Sequence, residues 1–177
     1  AYHDLRHIEE LLGWYERLGV EGPGWQAPHD VLAAVLYHDA IYEAGRPDNE
    51  ALSAALAVGD IARFELPCES TRVSELILAT ARHGTLAVDP VADPDLAHFL
   101  DADMAILGAS PDRFDDYERA IANEYAAIPA AAFRAGRGRF LTRLLALPRL
   151  YQTSFFSSRL ESAARANLTR ASAALNG

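Results

Sequence analysis

Apolar residues recur at helical spacing from one end of the chain to the other, and this periodicity restricts the fold more than any other feature. In segment 31–43, "VLAAVLYHDAIYE", Val31, Val35 and His38 follow one row, and Leu32, Leu36 and Asp39 follow the adjoining one. Strand-like alternation and Asn-Gly hairpin turns are missing, so the pattern predicts an all-α chain. Half of the 177 residues are apolar, enough to fill a core without disulfide staples.

Turn signals divide the periodic stretches. "GVEGPGWQAP", "AGRPD" and "TLAVDPVADPD" read as loops. Helices are expected over about 3–18, 31–43, 49–64, 70–83, 94–107, 112–127, 130–146 and 154–174. Asp30 and Asp48 are the expected N-caps of the second and third, and Gly84 and Gly108 the expected terminators of the fourth and fifth. Gly136 and Gly138 in "AGRG" are expected to kink the seventh. Repeats and long linkers are lacking, so residues 1–177 are expected to form a single-domain bundle of about eight helices.

The one cysteine, Cys68, excludes an internal disulfide and fits a reducing compartment, so a cytoplasmic location is expected. Apolar runs fall short of the roughly 20 residues that span a bilayer. The opening "AYHDLRHIEELLGWYERLG" is amphipathic rather than signal-like, and its abrupt start leads us to expect preceding residues. A net charge of −9 opposes nucleic-acid polymers and anionic membranes, and the basic "FRAGRGRFLTR" is too small to reverse it. Neither is an expected partner. Homo-oligomerisation through aromatic residues near helix ends, Trp25, Phe155 and Phe156, is left open.

Ionisable groups interrupt several apolar stripes. In the first helix Leu18, Trp14 and Leu11 step back to His7 and, one turn further, to His3. In the fourth, Val73, Leu76 and Thr80 lead to His83. In the fifth, Leu96, Leu100, Asp103 and Leu107 share a face, and Asp101 stands roughly 160° from Asp103. Asp103 is therefore the acid expected to point inward, and Asp101→Ala the milder change. Buried carboxylates and imidazoles tolerate one another when a cation sits among them. Their oxygens and nitrogens are ordinary ligands for divalent Mn, Co, Ni, Zn or Fe. Taken singly, each of these residues has a structural explanation, as a core histidine or a cap. A His–Asp network without metal is the alternative for the set.

His7, the doublet His38-Asp39 and Asp103 in "FLDADMAIL" resemble, in order and helical placement, the HD-domain superfamily of metal-dependent phosphohydrolases. "YHDLRHI", "HDAIYEAGRPDNEALSA", "ATARH", "FLDADMAILG", "NEY", "GRGRFL" and "ESAARANL" are similar to a bacterial group of metal-dependent HD phosphohydrolases, whose members usually carry a further N-terminal segment. The resemblance implies an HD-type bundle with one divalent transition metal on His7, His38, Asp39 and Asp103. It further implies hydrolysis of a phosphoester, of a nucleotide or a similar small phosphorylated metabolite, by activated water.

Around that set, His83, Glu50 and Asp39 are the candidate catalytic groups, and His3, Arg46, Asn49 and Tyr42 the candidate substrate-binding ones. Arg6, Arg137 and Arg165 are further candidates for a phosphate clamp. His83 equally suits a helix C-cap, and Glu50 and Asn49 a first helical turn. His29 and His98 receive no role, the latter because it falls off the inward stripe. Two readings compete. An HD-type di-iron oxygenase would need two more inward histidines before Asp103, where only His83 qualifies. A non-catalytic nucleotide-binding module would bind without turnover.

Overall fold

The computed structural model describes residues 2–176. Eight α-helices make up the bundle: α1 (Leu5–Glu21), α2 (Pro28–Tyr37), α3 (Asn49–Phe64), α4 (Ser70–Thr80), α5 (Pro94–Asp103), α6 (Pro111–Glu124), α7 (Ala130–Ala146) and α8 (Ser154–Asn176). A 3-10 helix, Met104–Gly108, continues α5, and the described residues contain no strand. None of these helices is long and apolar enough to cross a membrane.

The helix ends differ from the sequence expectation for local reasons. Asp4 caps α1 by accepting from the N–H groups of Arg6 and His7, which leaves His3 outside the helix rather than one turn up it. α2 starts at Pro28, where a missing N–H costs nothing. Asp30 therefore lies inside the first turn and is not a cap. Its carboxylate instead accepts from Glu69 N at 2.8 Å and ties α2 to the start of α4. Asp48 precedes α3 but makes no cap bond, because Arg46 holds its carboxylate at 2.6 Å.

α2 stops at Tyr37 instead of continuing to 43. Side chains of α3 take over the backbone that follows. Ser53 Oγ accepts from Ile41 N at 3.0 Å and donates back to Ile41 O. Asn49 accepts from Glu43 N at 3.0 Å and donates to Glu43 O at 2.9 Å. α4 likewise ends at Thr80, so His83 falls in the turn beyond it, before Gly84 at φ +69°. α7 runs unbroken through Gly136 and Gly138, and the expected kink is not found. Gly108 is a contact glycine rather than an α-helix cap: a Cβ there would stand 2.7 Å from Leu160 Cβ on α8.

Two apolar cores form. Val31, Ala34, Ala57, Val73, Ile77 and Phe99 fill one, between α2, α3, α4 and α5. Leu107, Phe114, Leu141, Leu144, Phe156 and Leu168 fill the other, around α8. Each fully buried Leu or Phe contributes about 1.5–3 kcal/mol. α1 gives Leu11 to the first core and Leu18 to the second, and α5 gives Phe99 and Ala102 in the same way. Those two helices straddle the seam, and the polar site lies in it.

Candidate metal centre

His7 reaches the seam from α1, His38 from the C-cap of α2, Asp39 from the residue beyond, and Asp103 from the last position of α5. Both imidazoles are buried, at 2 % and 1 % exposure. One ligand atom each from His7, His38 and Asp39 lies within 4.8 Å of the other two. The two Nε2 atoms are 3.1 Å apart. Asp39 Oδ2 stands 3.0 Å from His38 Nε2 and 3.5 Å from His7 Nε2. Asp103 Oδ1 stands 3.1 Å from His7 Nε2 and 3.5 Å from His38 Nε2.

Hydrogen bonding sets the proton on His38. Its Nδ1 lies 3.0 Å from Val35 O, and a carbonyl only accepts, so Nδ1–H donates there. With Nδ1 so committed, Nε2 is the atom turned toward the cluster, and in the neutral ring it would offer its lone pair there as a metal-ligating histidine does. His7 Nδ1 is buried without a partner among the described residues.

Burial opposes charge on His38, yet the Asp103 and Asp39 carboxylates outweigh it and hold this imidazole's pKa well above its ordinary value. Burial also opposes charge on Asp103, and His38, His7 and His83 together hold its carboxyl well below the usual range. The pocket is thus arranged to keep positive charge between two carboxylates. The two imidazole nitrogens of His7 and His38 and a carboxylate oxygen of Asp39 are of the type that could hold a divalent transition ion.

His83 approaches from outside this cluster. Its Nε2 is 2.6 Å from Asp103 Oδ2, the oxygen turned away from the other imidazoles' contact. It therefore orients Asp103.

Asp101 departs from the expectation. It is buried as deeply as His7, at 2 % exposure, but on the far side of α5. Its carboxylate accepts from Gln152 N and Thr153 N, both at 2.8 Å, and from Thr153 Oγ1 at 2.7 Å, fastening the start of α8. Burial raises its pKa to about 6 despite those bonds. Both acids of "DAD" point inward, at different targets.

A cavity of about 530 Å³ opens beside Asp103 and His83. His3, Tyr42, Arg46, Asn49 and Glu50 all border it, as the sequence reading places them near the site. Their states differ. His3 Nδ1 contacts Glu124 Oε2 at 2.8 Å, and its ring stacks on Tyr42 at 3.6 Å. Arg46 is paired with Asp48 and Glu43. Asn49 is buried with its amide committed to the Glu43 backbone, so its part is to hold the loop. The Glu50 carboxylate has no hydrogen bond or ion pair with the described residues.

Among the other arginines, Arg137 borders the cavity with its guanidinium on Glu118 and on the Tyr117 hydroxyl. Arg6 is exposed and pairs with Glu10, and Arg165 binds Glu161 and the carbonyls ending α7, so neither reaches the site. His29 lies exposed elsewhere. His98 is not turned outward as expected: it is buried, with Nδ1 donating to Pro94 O at 2.6 Å beside Trp25 and Phe156.

Sequence reasoning missed Glu124, which accepts from Tyr2 N, His3 N and His3 Nδ1 and draws the chain start over the site. It also missed the aromatic wall from α6 and α7, Tyr117, Phe133 and Phe140. The matched motif "NEY" marked the first without assigning it a task.

The fold and site define an all-α bundle with a candidate centre for one metal ion. Comparison with protein-family models, with curated proteins and with solved structures gave no match.

Proposed function

We propose that this chain is a metal-dependent phosphohydrolase of the HD type, cleaving a phosphoester of a small metabolite. The supporting observation is the convergence of His7, His38 and Asp39, with Asp103 Oδ1 3.1 Å from His7 Nε2 and bordering a cavity. Those residues would hold a single divalent ion, which supplies charge to polarise a phosphoryl oxygen and to acidify a water.

The chain's own groups account for the rest. Asp39 and Asp103 would balance the ion's charge. His83 keeps Asp103 oriented through its outer oxygen. Glu50 borders the cavity with an uncommitted carboxylate, suited to taking a proton from the attacking water or giving one to the leaving oxygen. Arg46, at the cavity edge and paired with Asp48, is a candidate cation for a phosphoryl oxygen.

Metal analysis of the purified chain, joined to phosphate release from a phosphoester panel with and without chelator, tests the reading. The expected result is one divalent ion per chain, turnover that chelation abolishes, and loss of both in His38→Ala. Iron content with oxygen consumption and no phosphate release would favour the oxygenase alternative. Binding without turnover under any divalent metal would favour the non-catalytic module.

A further inference from the structure

Resting on the hydrolase reading, we propose that the cavity accepts the apolar body of a phosphomonoester, an alkyl or aryl monophosphate, and disfavours nucleoside polyphosphates. At about 530 Å³ it has the size of a small-ligand pocket.

Its wall away from Asp103 is aliphatic and aromatic, built from Ile106, Ile121, Ile128, Phe133 and Phe140. Most of the polar groups that remain are already engaged, the buried Tyr2 hydroxyl being an exception. Arg137 is held by Glu118 and Tyr117, and Arg46 by Asp48. The Tyr42 ring is stacked on His3, and the Asn49 amide is bound to the Glu43 backbone.

A sugar and base carry many donors and acceptors, and the single unpaired Tyr2 hydroxyl replaces few of the hydrogen bonds to water that they would forfeit there. A polyphosphate needs unpaired cations, and the uncommitted charge in the wall, Glu50, has the wrong sign. A single phosphoryl group can sit against the metal centre while its organic group lies on the apolar wall. In the hydrolysis the oxygen of one water ends on phosphorus, the P–O bond to the organic group breaks, and a proton from that water ends on the departing alcohol.

The full chain, loaded with Mn²⁺, is titrated by calorimetry with n-alkyl phosphonates of rising length. Turnover of n-alkyl monophosphates and of nucleoside mono-, di- and triphosphates is measured in parallel. Phosphonate affinity is expected to rise about fourfold per methylene until the cavity is full. Ala132 is exposed at the cavity wall, so Ala132→Asp folds normally, keeps its metal and flattens the series. A flat series in the unaltered chain, or triphosphates turned over faster than alkyl phosphates, overturns the inference while the hydrolase reading stands. Length-dependent phosphonate binding with no phosphate released from any substrate upholds the pocket assignment and overturns the hydrolase reading.

Discussion

His38 Nε2 and Asp39 Oδ2 lie 3.0 Å apart although the two residues are consecutive in the chain. His38 is the C-cap of α2, still with helical backbone angles and its N–H on Ala34 O, and Asp39 is the first residue past it.

The side chains that hold the chain off its helical course after His38 are Asn49 and Ser53, neither of which touches the cluster. Asn49→Ala leaves the Glu43 N–H and C=O without partners, a loss of about 1–3 kcal/mol. Because Asp39 lies in the segment so held, metal affinity should fall by about 10–100-fold, the usual effect of an outer supporting group. Urea denaturation of the metal-free chain and competition of the loaded chain with a metal indicator measure the two effects separately. Ser53→Ala should act in the same direction.

His83→Ala separates orientation from ligation. The imidazole meets Asp103 through Oδ2, while Oδ1 faces His7 and His38. Removing it should weaken metal binding by about 10–100-fold without abolishing it, whereas Asp103→Ala should abolish stoichiometric binding. Equilibrium dialysis against Zn²⁺ or Mn²⁺ distinguishes the two variants. Complete loss of metal in His83→Ala would make it a ligand.

Asp101→Ala should not be the benign neighbour of Asp103→Ala. The substitution leaves the Gln152 and Thr153 N–H groups and the Thr153 hydroxyl unpaired in a buried position. Hydrogen bonds to a charged group contribute about 1.5–3 kcal/mol each, so a loss of about 3 kcal/mol or more is expected from denaturation curves. Metal stoichiometry in the surviving folded fraction should stay at the unaltered value, because Asp101 faces α8 rather than the cluster.

The cause of that revision shows what a sequence conveys here. Periodicity places an element and one of its faces, and it located all eight helices and pointed to His7, His38 and Asp39, which the fold gathers into one group. It assumes one buried face per helix. α5 lies between two cores, so Asp101, Asp103 and His98 all point inward in different directions. Helix ends were misread wherever a distant side chain bonded the backbone, as Ser53 and Asn49 do after α2. The aromatic wall was invisible because α6 and α7 contribute to it across more than 100 residues from His7, a pairing that only tertiary packing creates.

The start of α5, the helix that carries Asp103, offers a pH-dependent test away from the metal centre. Asp93 caps it by accepting from Leu96 N, and Arg72 of α4 bonds the same carboxylate at 2.5 and 3.0 Å. Burial pushes the Asp93 pKa up, but Arg72 and the Leu96 N–H pull it below its ordinary value. A carboxyl depressed in the folded state stabilises at pH above its unfolded value, near about 3.9, and that contribution fades as pH falls through the folded value. Asn caps as well as Asp, so Asp93→Asn should remove the charge pairing alone, at about 1 kcal/mol or less near pH 7 for this partly exposed pair. Asp93→Ala should cost about 1 kcal/mol more through the lost cap. Urea denaturation of the three proteins between pH 7 and pH 3 should show the deficit of Asp93→Asn closing below about pH 4. A deficit that persists unchanged down to pH 3 would mean that Arg72 and Asp93 stabilise α5 by packing rather than by charge.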